Sequence, residues 1–198
     1  MPSSELDFLR GPVEEAAPAL LGWVLRTGEV GVRLTEVEAY GGADDAGSHA
    51  RNGPTRRNAS MFADAGRLYC YLSYGMHVCA NVVTGDRGSG GAVLLRAGEV
   101  VLGHEVARMR RAGSPTRDLA RGPARLTQAL GIGLDHDGTT LLGRDGPVWL
   151  EPGAPPARVA RGPRVGLTRA PDLRWRWWVE GDRHVSAYRR SPRADPPI

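Results

Sequence analysis

The chain has 198 residues, 41% of them apolar, with 27 glycines and 15 prolines, which suits one turn-rich domain with a real core and excludes wholesale disorder. No apolar run is long enough to cross a bilayer, the first twelve residues lack the pattern of a secretory signal, and two cysteines are too few for a disulfide framework. The net charge of +4 is carried by 26 basic residues, all of them arginine, and favours a polyanionic partner, although any solvated basic face has the same composition.

In chain order, residues 1–12 read as a loose start. Pro12 to Leu25 reads as a short helix, with Glu14 and Glu15 near its beginning and Pro18 limiting its length. Gly31 to Tyr40 is a strand whose alternation sends Thr35, Val37 and Ala39 one way and Glu36, Glu38 and Tyr40 the other. A polar loop follows to Asn58, carrying Asp44, Asp45, His49, Arg51, Arg56 and Arg57. Leu68 to Val83 has the pattern of a β-hairpin bending near Ser73-Tyr74-Gly75. The glycine-rich turn 85–91 leads into a buried-type strand, AVLLR, ending in Arg96. Helical stretches are expected around Val101–Arg111 and Leu119–Leu130, the second stopped by Gly131 and Gly133. Short strands then alternate with turns (VWLEP, RVGLTRA, RWRWWVEG, HVSAY) before a loose tail over 189–198. This order predicts one α+β domain over 1–198: a curved mixed, mainly antiparallel sheet with flanking helices and a protruding β-hairpin.

Two places could carry chemistry. Glu36 and Glu38 share a strand face with Tyr40, and the plainest account is a pair of solvent-facing glutamates. A carboxylate beside a tyrosine at the end of a rigid strand, before a loop with His49, is also what a general base needs. Tyr69 and Tyr71 share a face of the hairpin and are explained by cross-strand packing. Tyr74, at the tip, is explained by packing badly and by insertion well. The five histidines are scattered without paired metal-ligand spacing, so no metal and no cofactor is expected.

The segments LLGWVLRT (20–27), TEVEAYGGADDAGSHA (35–50), MFADAGRLYCYLSYGMHVCANVV (61–83), AVLLRAGEV (92–100), GPARLTQALGI (122–132) and ARVARGPRVGL (157–167) resemble the alkyladenine (3-methyladenine) DNA glycosylase family. The resemblance implies a monofunctional enzyme that flips alkylated or deaminated purines out of double-stranded DNA and hydrolyses the N-glycosidic bond. It assigns Glu38 as the base that activates water and Arg96 as the group that positions water and carboxylate. It makes Tyr40, His49 and Tyr71 the walls around the flipped base, Asn81 the group that rejects guanine, and Tyr74 the wedge in the vacated stack. Glu36 has no role in it, and its replacement by glutamine is expected to be near neutral. The implied protein is a cytoplasmic, nucleoid-associated monomer.

The sequence departs from that family at GPTRRN (53–58), where Arg56 stands for a proline, and at RAGEV (96–100); the first is expected to alter the approach loop, the second to loosen the start of the next helix. Two other readings compete. A strand-cleaving glycosylase needs an amine nucleophile, and without lysine only an N-terminal Pro2 would serve. A non-catalytic damaged-DNA-binding protein would share the basic charge and the aromatic hairpin but needs neither Glu38 nor Arg96.

Overall fold

The computed structural model describes residues 4–194. In chain order it holds α1 (Val13–Ala19), β1 (Val24–Thr27), β2 (Gly31–Tyr40), β3 (Leu68–Ser73), β4 (His77–Thr84) and β5 (Gly91–Leu102). Then follow α2 (His104–Arg110), α3 (Pro123–Leu130), β6 (Val148–Glu151), β7 (Val159–Gly162) and β8 (Arg176–Val179). The strands form one curled eight-stranded sheet in the order β3-β4-β5-β2-β1-β6, with β8 on β2 and β7 on β8. Each strand pairing among the described residues is antiparallel, so the expected parallel component is absent there.

β2 lies at the centre. β5 runs along one edge of it, while β1 takes residues 31–33 and β8 residues 36–38 of the other. Cross-strand register then sorts the side chains by face. Ala39, Val37, Leu95, Val93, Val82 and Leu68 belong to the aliphatic core, which α3 closes with Leu126, Ala129 and Leu130. The opposite face carries Glu38, Leu94, Asn81 and Tyr69 as one row of partners.

Two irregularities in the β2–β5 ladder shape that second face. Leu34 pairs with Gly98 and Glu36 with Ala97, which leaves Thr35 as an extra residue on β2; Val37 pairs with Leu95, which leaves Arg96 as an extra residue on β5. A bulge re-aims the side chains beside it. The first lets Val32 and Leu34 share the core with Val37 and Ala39 despite the shift in spacing. The second turns Arg96 towards the two glutamates.

Several boundaries differ from the sequence reading. The N-terminal segment is not loose: Ser4–Arg10 is a 3-10 helix whose Leu6 and Leu9 enter the core. Helix α1 stops at Ala19, and Val24-Leu25 belong to β1, because Gly22 turns the chain through a left-handed φ of 88°. The AVLLR strand does not end at Arg96 but continues to Leu102. Gly98 permits this, since a Cβ there would lie 2.4 Å from the Arg33 carbonyl oxygen. RAGEV is therefore strand, not the start of a helix, and α2 begins only at His104. Helix α3 begins at Pro123 rather than Leu119, proline being suited to the first helical turn. RVGLTRA and HVSAY are loops, and the strand near the former is β7, just before it. The tail is tied at Arg189, whose carbonyl accepts from Gly166 N at 2.8 Å, and at Arg190, whose guanidinium pairs with Asp172. Pro2 and residues 195–198 lie outside the described residues.

Candidate active site

Glu38 sits near the end of β2 with no exposed surface. Its Oε1 accepts the Val165 backbone N–H at 2.7 Å, and its Oε2 accepts the Tyr40 hydroxyl at 2.9 Å and Arg96 Nη1 at 3.3 Å. Glu36, two residues earlier, is equally inaccessible. Its Oε1 accepts Arg96 Nε at 3.1 Å, Arg176 Nε at 2.6 Å and the Ser186 hydroxyl at 3.0 Å; its Oε2 accepts Ser186 N at 2.6 Å. The account of two solvent-facing glutamates is thus overturned. An ionised group without exposure needs charge and hydrogen-bond partners around it, and both glutamates have them. Burial acts against the charge of Arg96, but Glu38 and then Glu36 outweigh it and raise its pKa.

The loop 41–58 is pinned from two sides. Asp45 forms a buried two-bond pair with Arg164, Nη1–Oδ2 at 2.6 Å and Nη2–Oδ1 at 2.8 Å, and also accepts Gly41 N and Gly47 N. Arg164 donates to the Ala39 carbonyl at 3.0 Å and lies 4.7 Å from the centre of the Tyr40 ring. Asn58 ties the other end, donating to the His49 carbonyl at 2.9 Å while accepting from Thr55. The Arg56 departure leaves these ties in place.

Three aromatic rings gather beside the loop. His49 Nδ1 is 3.1 Å from the Tyr69 hydroxyl, His49 meets the Tyr71 ring edge-on with centroids 4.5 Å apart, and Tyr69 and Tyr71 stack at 5.7 Å. Burial, then Arg57 and Arg51, lower the His49 pKa, which keeps the imidazole neutral at neutral pH. Burial pushes the Tyr69 hydroxyl up to about 12 and raises Tyr71 further; burial and then Glu38 raise Tyr40. All three phenols therefore remain protonated donors.

These groups border a cleft of about 720 Å³ lined by Tyr40, His49, Tyr69, Tyr71, Leu94 and Arg96, with Arg51, Arg57 and Tyr74 also on its wall. Glu38 lies behind that lining, within hydrogen-bond reach of three residues that form it: Tyr40, Arg96 and Val165. Asn81 is also behind it, its Nδ2 donating to the Tyr69 carbonyl at 3.0 Å. The hairpin tip is the opposite kind of place. Tyr74 is 89% exposed, Met76 73%, and both Tyr74 and Gly75 have left-handed φ, 51° and 70°. A tyrosine in that conformation is held against its own preference.

Structure thus brings together Glu38, Arg96, Tyr40, His49 and Tyr71, sets Asn81 under the floor and Tyr74 at the rim. The sequence pattern does not show that Glu36 and Asp45 are buried anchors, nor that Arg164, Val165, Arg176 and Ser186 bind them and Glu38. Chain distance hides these partners, since 127 residues separate Val165 from Glu38. The spacing of Val32, Leu34, Val37 and Ala39 did hold a signal: its shift from even to odd positions marks the bulge that allows Glu36 to be buried.

The sheet is thus an antiparallel half-barrel that carries a buried, arginine-paired glutamate under an aromatic cleft. The model of the methylpurine-DNA glycosylase (MPG) family matches residues 7–183. A protein of Nocardia farcinica named "Putative 3-methyladenine DNA glycosylase" is 55% identical over 187 residues, covering 90% of this chain and 88% of its own. Proteins of the same name from Leifsonia xyli and Frankia casuarinae are 52% and 49% identical, covering 90% and 95% of this chain and 89% and 95% of theirs. The chain belongs to the methylpurine-DNA glycosylase family and is a DNA-repair glycosylase.

Proposed function

We propose that the chain, acting as a monomer, extracts alkylated or deaminated purines (3-methyladenine, 7-methylguanine, hypoxanthine and etheno-adenine) from double-stranded DNA and hydrolyses their N-glycosidic bond without cutting the strand. The observation that carries this reading is the Glu38–Arg96 pair directly beneath the aromatic cleft. A base in a duplex is out of reach until it leaves the stack, at a cost of a few kcal/mol. Tyr74 offsets part of that by filling the vacancy. Tyr40 on one side, with His49 and Tyr71 on the other, returns stacking of roughly 1–3 kcal/mol per base.

The chemistry follows from what surrounds Glu38. Water takes the place at Oε2 now held by the Tyr40 hydroxyl, and Arg96 Nη1 orients it. Its proton passes to Glu38, its oxygen bonds to C1′, and the C1′–N electron pair leaves with the base. Stacking favours electron-poor purines but does not exclude guanine, so a steric gate is needed. Asn81, fixed by the Tyr69 carbonyl, props the floor where the exocyclic amine of guanine would enter. The lack of lysine, the usual amine for a Schiff base, supports a strand left whole.

The test is a product analysis on a duplex with one hypoxanthine. Free base and an intact, alkali-labile strand are expected, with no adduct trapped by borohydride. A direct nick or a trapped covalent adduct overturns the monofunctional reading, and binding without any base release favours the damaged-DNA-binding alternative.

A further inference from the structure

Arg96 has a partner at each of its three guanidinium nitrogens: Glu36 at Nε, Glu38 at Nη1 and the Ser186 hydroxyl at Nη2, 3.4 Å away. Only one of these contacts goes to the proposed base. An arginine free to turn forms the two-bond fork with a carboxylate, the strongest arrangement open to the pair. On Glu38 such a fork would lay the guanidinium across both oxygens and crowd the approach of water to Oε2. Glu36 sits where it prevents this, holding the Nε edge from the side away from the cleft.

We infer that Glu36 is a positioning residue, which with Arg176 and Ser186 holds Arg96 in single contact with Glu38 so that the carboxylate can take up water. The inference rests on the assignment of Glu38 and Arg96 as the catalytic pair. Glu36 is fully buried and does not line the cleft, so it acts on DNA only through Arg96. Charges alternate along the row Glu38, Arg96, Glu36, Arg176, and Arg176 balances Glu36 so that the row is neutral as a whole. Arg176 is itself fixed, lying 4.4 Å from the centre of the Trp178 ring and donating to the Ser186 carbonyl at 3.1 Å. Ser186 makes three of these contacts at once, through its amide, hydroxyl and carbonyl. It lies beyond residues 7–183 of the family match, in the segment that the sequence reading took for a strand.

The experiment compares single-turnover excision of hypoxanthine, affinity for the same duplex, and melting temperature. In Glu36→Leu/Arg176→Leu a buried ion pair gives way to apolar side chains, an exchange that folds often tolerate. Excision is expected to fall on the order of 10- to 100-fold, the scale of a misplaced catalytic group, with affinity unchanged within about threefold. Wild-type excision by that folded double variant overturns the inference, as does an equal fall in affinity and rate, the mark of a purely structural role. Should the double variant not fold, Ser186→Ala decides, since it keeps all four charges. Its excision is expected to fall about three- to tenfold at unchanged melting temperature and affinity, and an unchanged rate overturns the inference. Glu38→Gln in the same assay separates the two levels. If it excises normally, the catalytic assignment fails; if it is inactive while the Glu36 and Ser186 variants are fully active, only the positioning role fails.

Discussion

The floor of the cleft and the tip of the hairpin are built on opposite principles. On the floor, Glu36, Glu38, Arg96 and Arg176 are buried, cross-bonded and held by strands paired on both edges. At the tip, Tyr74 and Met76 are apolar, exposed and carried on a turn with two left-handed residues. Each region places its side chains where a bare transfer argument would not: charge inside, apolar surface outside. The floor tolerates this because its charges satisfy one another within the protein. At the tip nothing among the described residues covers these two side chains, and in the proposed function the duplex interior supplies the cover. The proposed function assigns chemistry to the pre-organised region and opening of the helix to the unsatisfied one.

That division predicts separable losses. The largest is expected on the floor. Glu38→Gln should lower single-turnover excision at least about 100-fold, the low end for loss of a general base, while lesion binding measured by titration persists. Next comes the tip: Tyr74→Ala should weaken binding of every lesion by a similar factor, on the order of tenfold from one lost stacking contact, and leave the ranking of lesions unchanged. A change in ranking would mean that Tyr74 touches the excised base. Asn81→Gly should keep hypoxanthine excision within a few-fold and raise excision of mismatched guanine, because a floor without its prop makes room for the exocyclic amine and adds no attraction. If Asn81 only packs the hairpin, melting temperature and all activities fall together.

The smaller effects concern the rim. Arg57→Ala should reduce the slope of log affinity against log salt by about one, the contribution of one phosphate contact. For His49 the sign follows from its lowered pKa. The folded state favours the neutral ring, so its contribution to stability is complete above the ordinary value of about 6.5 and is lost as pH falls through the lower folded value. Protonation also puts a cation beside the base. Acidification should therefore weaken binding of cationic 7-methylguanine more than that of neutral hypoxanthine, as read from affinities measured from neutral pH downward.

Much of this could be read from the chain. The β2 strand, the β3–β4 hairpin and its tip at Tyr74 follow from local alternation and turn residues, and the row of site residues on one face of β2 was visible in Glu36, Glu38 and Tyr40. What local pattern cannot supply is long-range closure. Val165, Arg176 and Ser186 reach the glutamates, and Arg164 reaches Asp45, from loops and a short strand more than 100 residues away, and spacing says nothing about which loop folds over which strand. Alternation gave the face of Glu36 but not its burial, because β8 and the 182–188 segment are what bury it. The N-terminal segment was misjudged for the same reason: Leu6 and Leu9 lack a repeating pattern, and only the core they enter orders them.

The separation of floor from tip has one direct test. Etheno-adenine changes its fluorescence when it leaves the base stack, so flipping and excision can be followed in a single time course on one duplex. With Glu38→Gln the fluorescence change of flipping is expected at wild-type amplitude, with no free base released over many wild-type turnover times. Release at the wild-type rate, or loss of the flipping signal together with release, would contradict the assignment of chemistry to Glu38 and of opening to the hairpin.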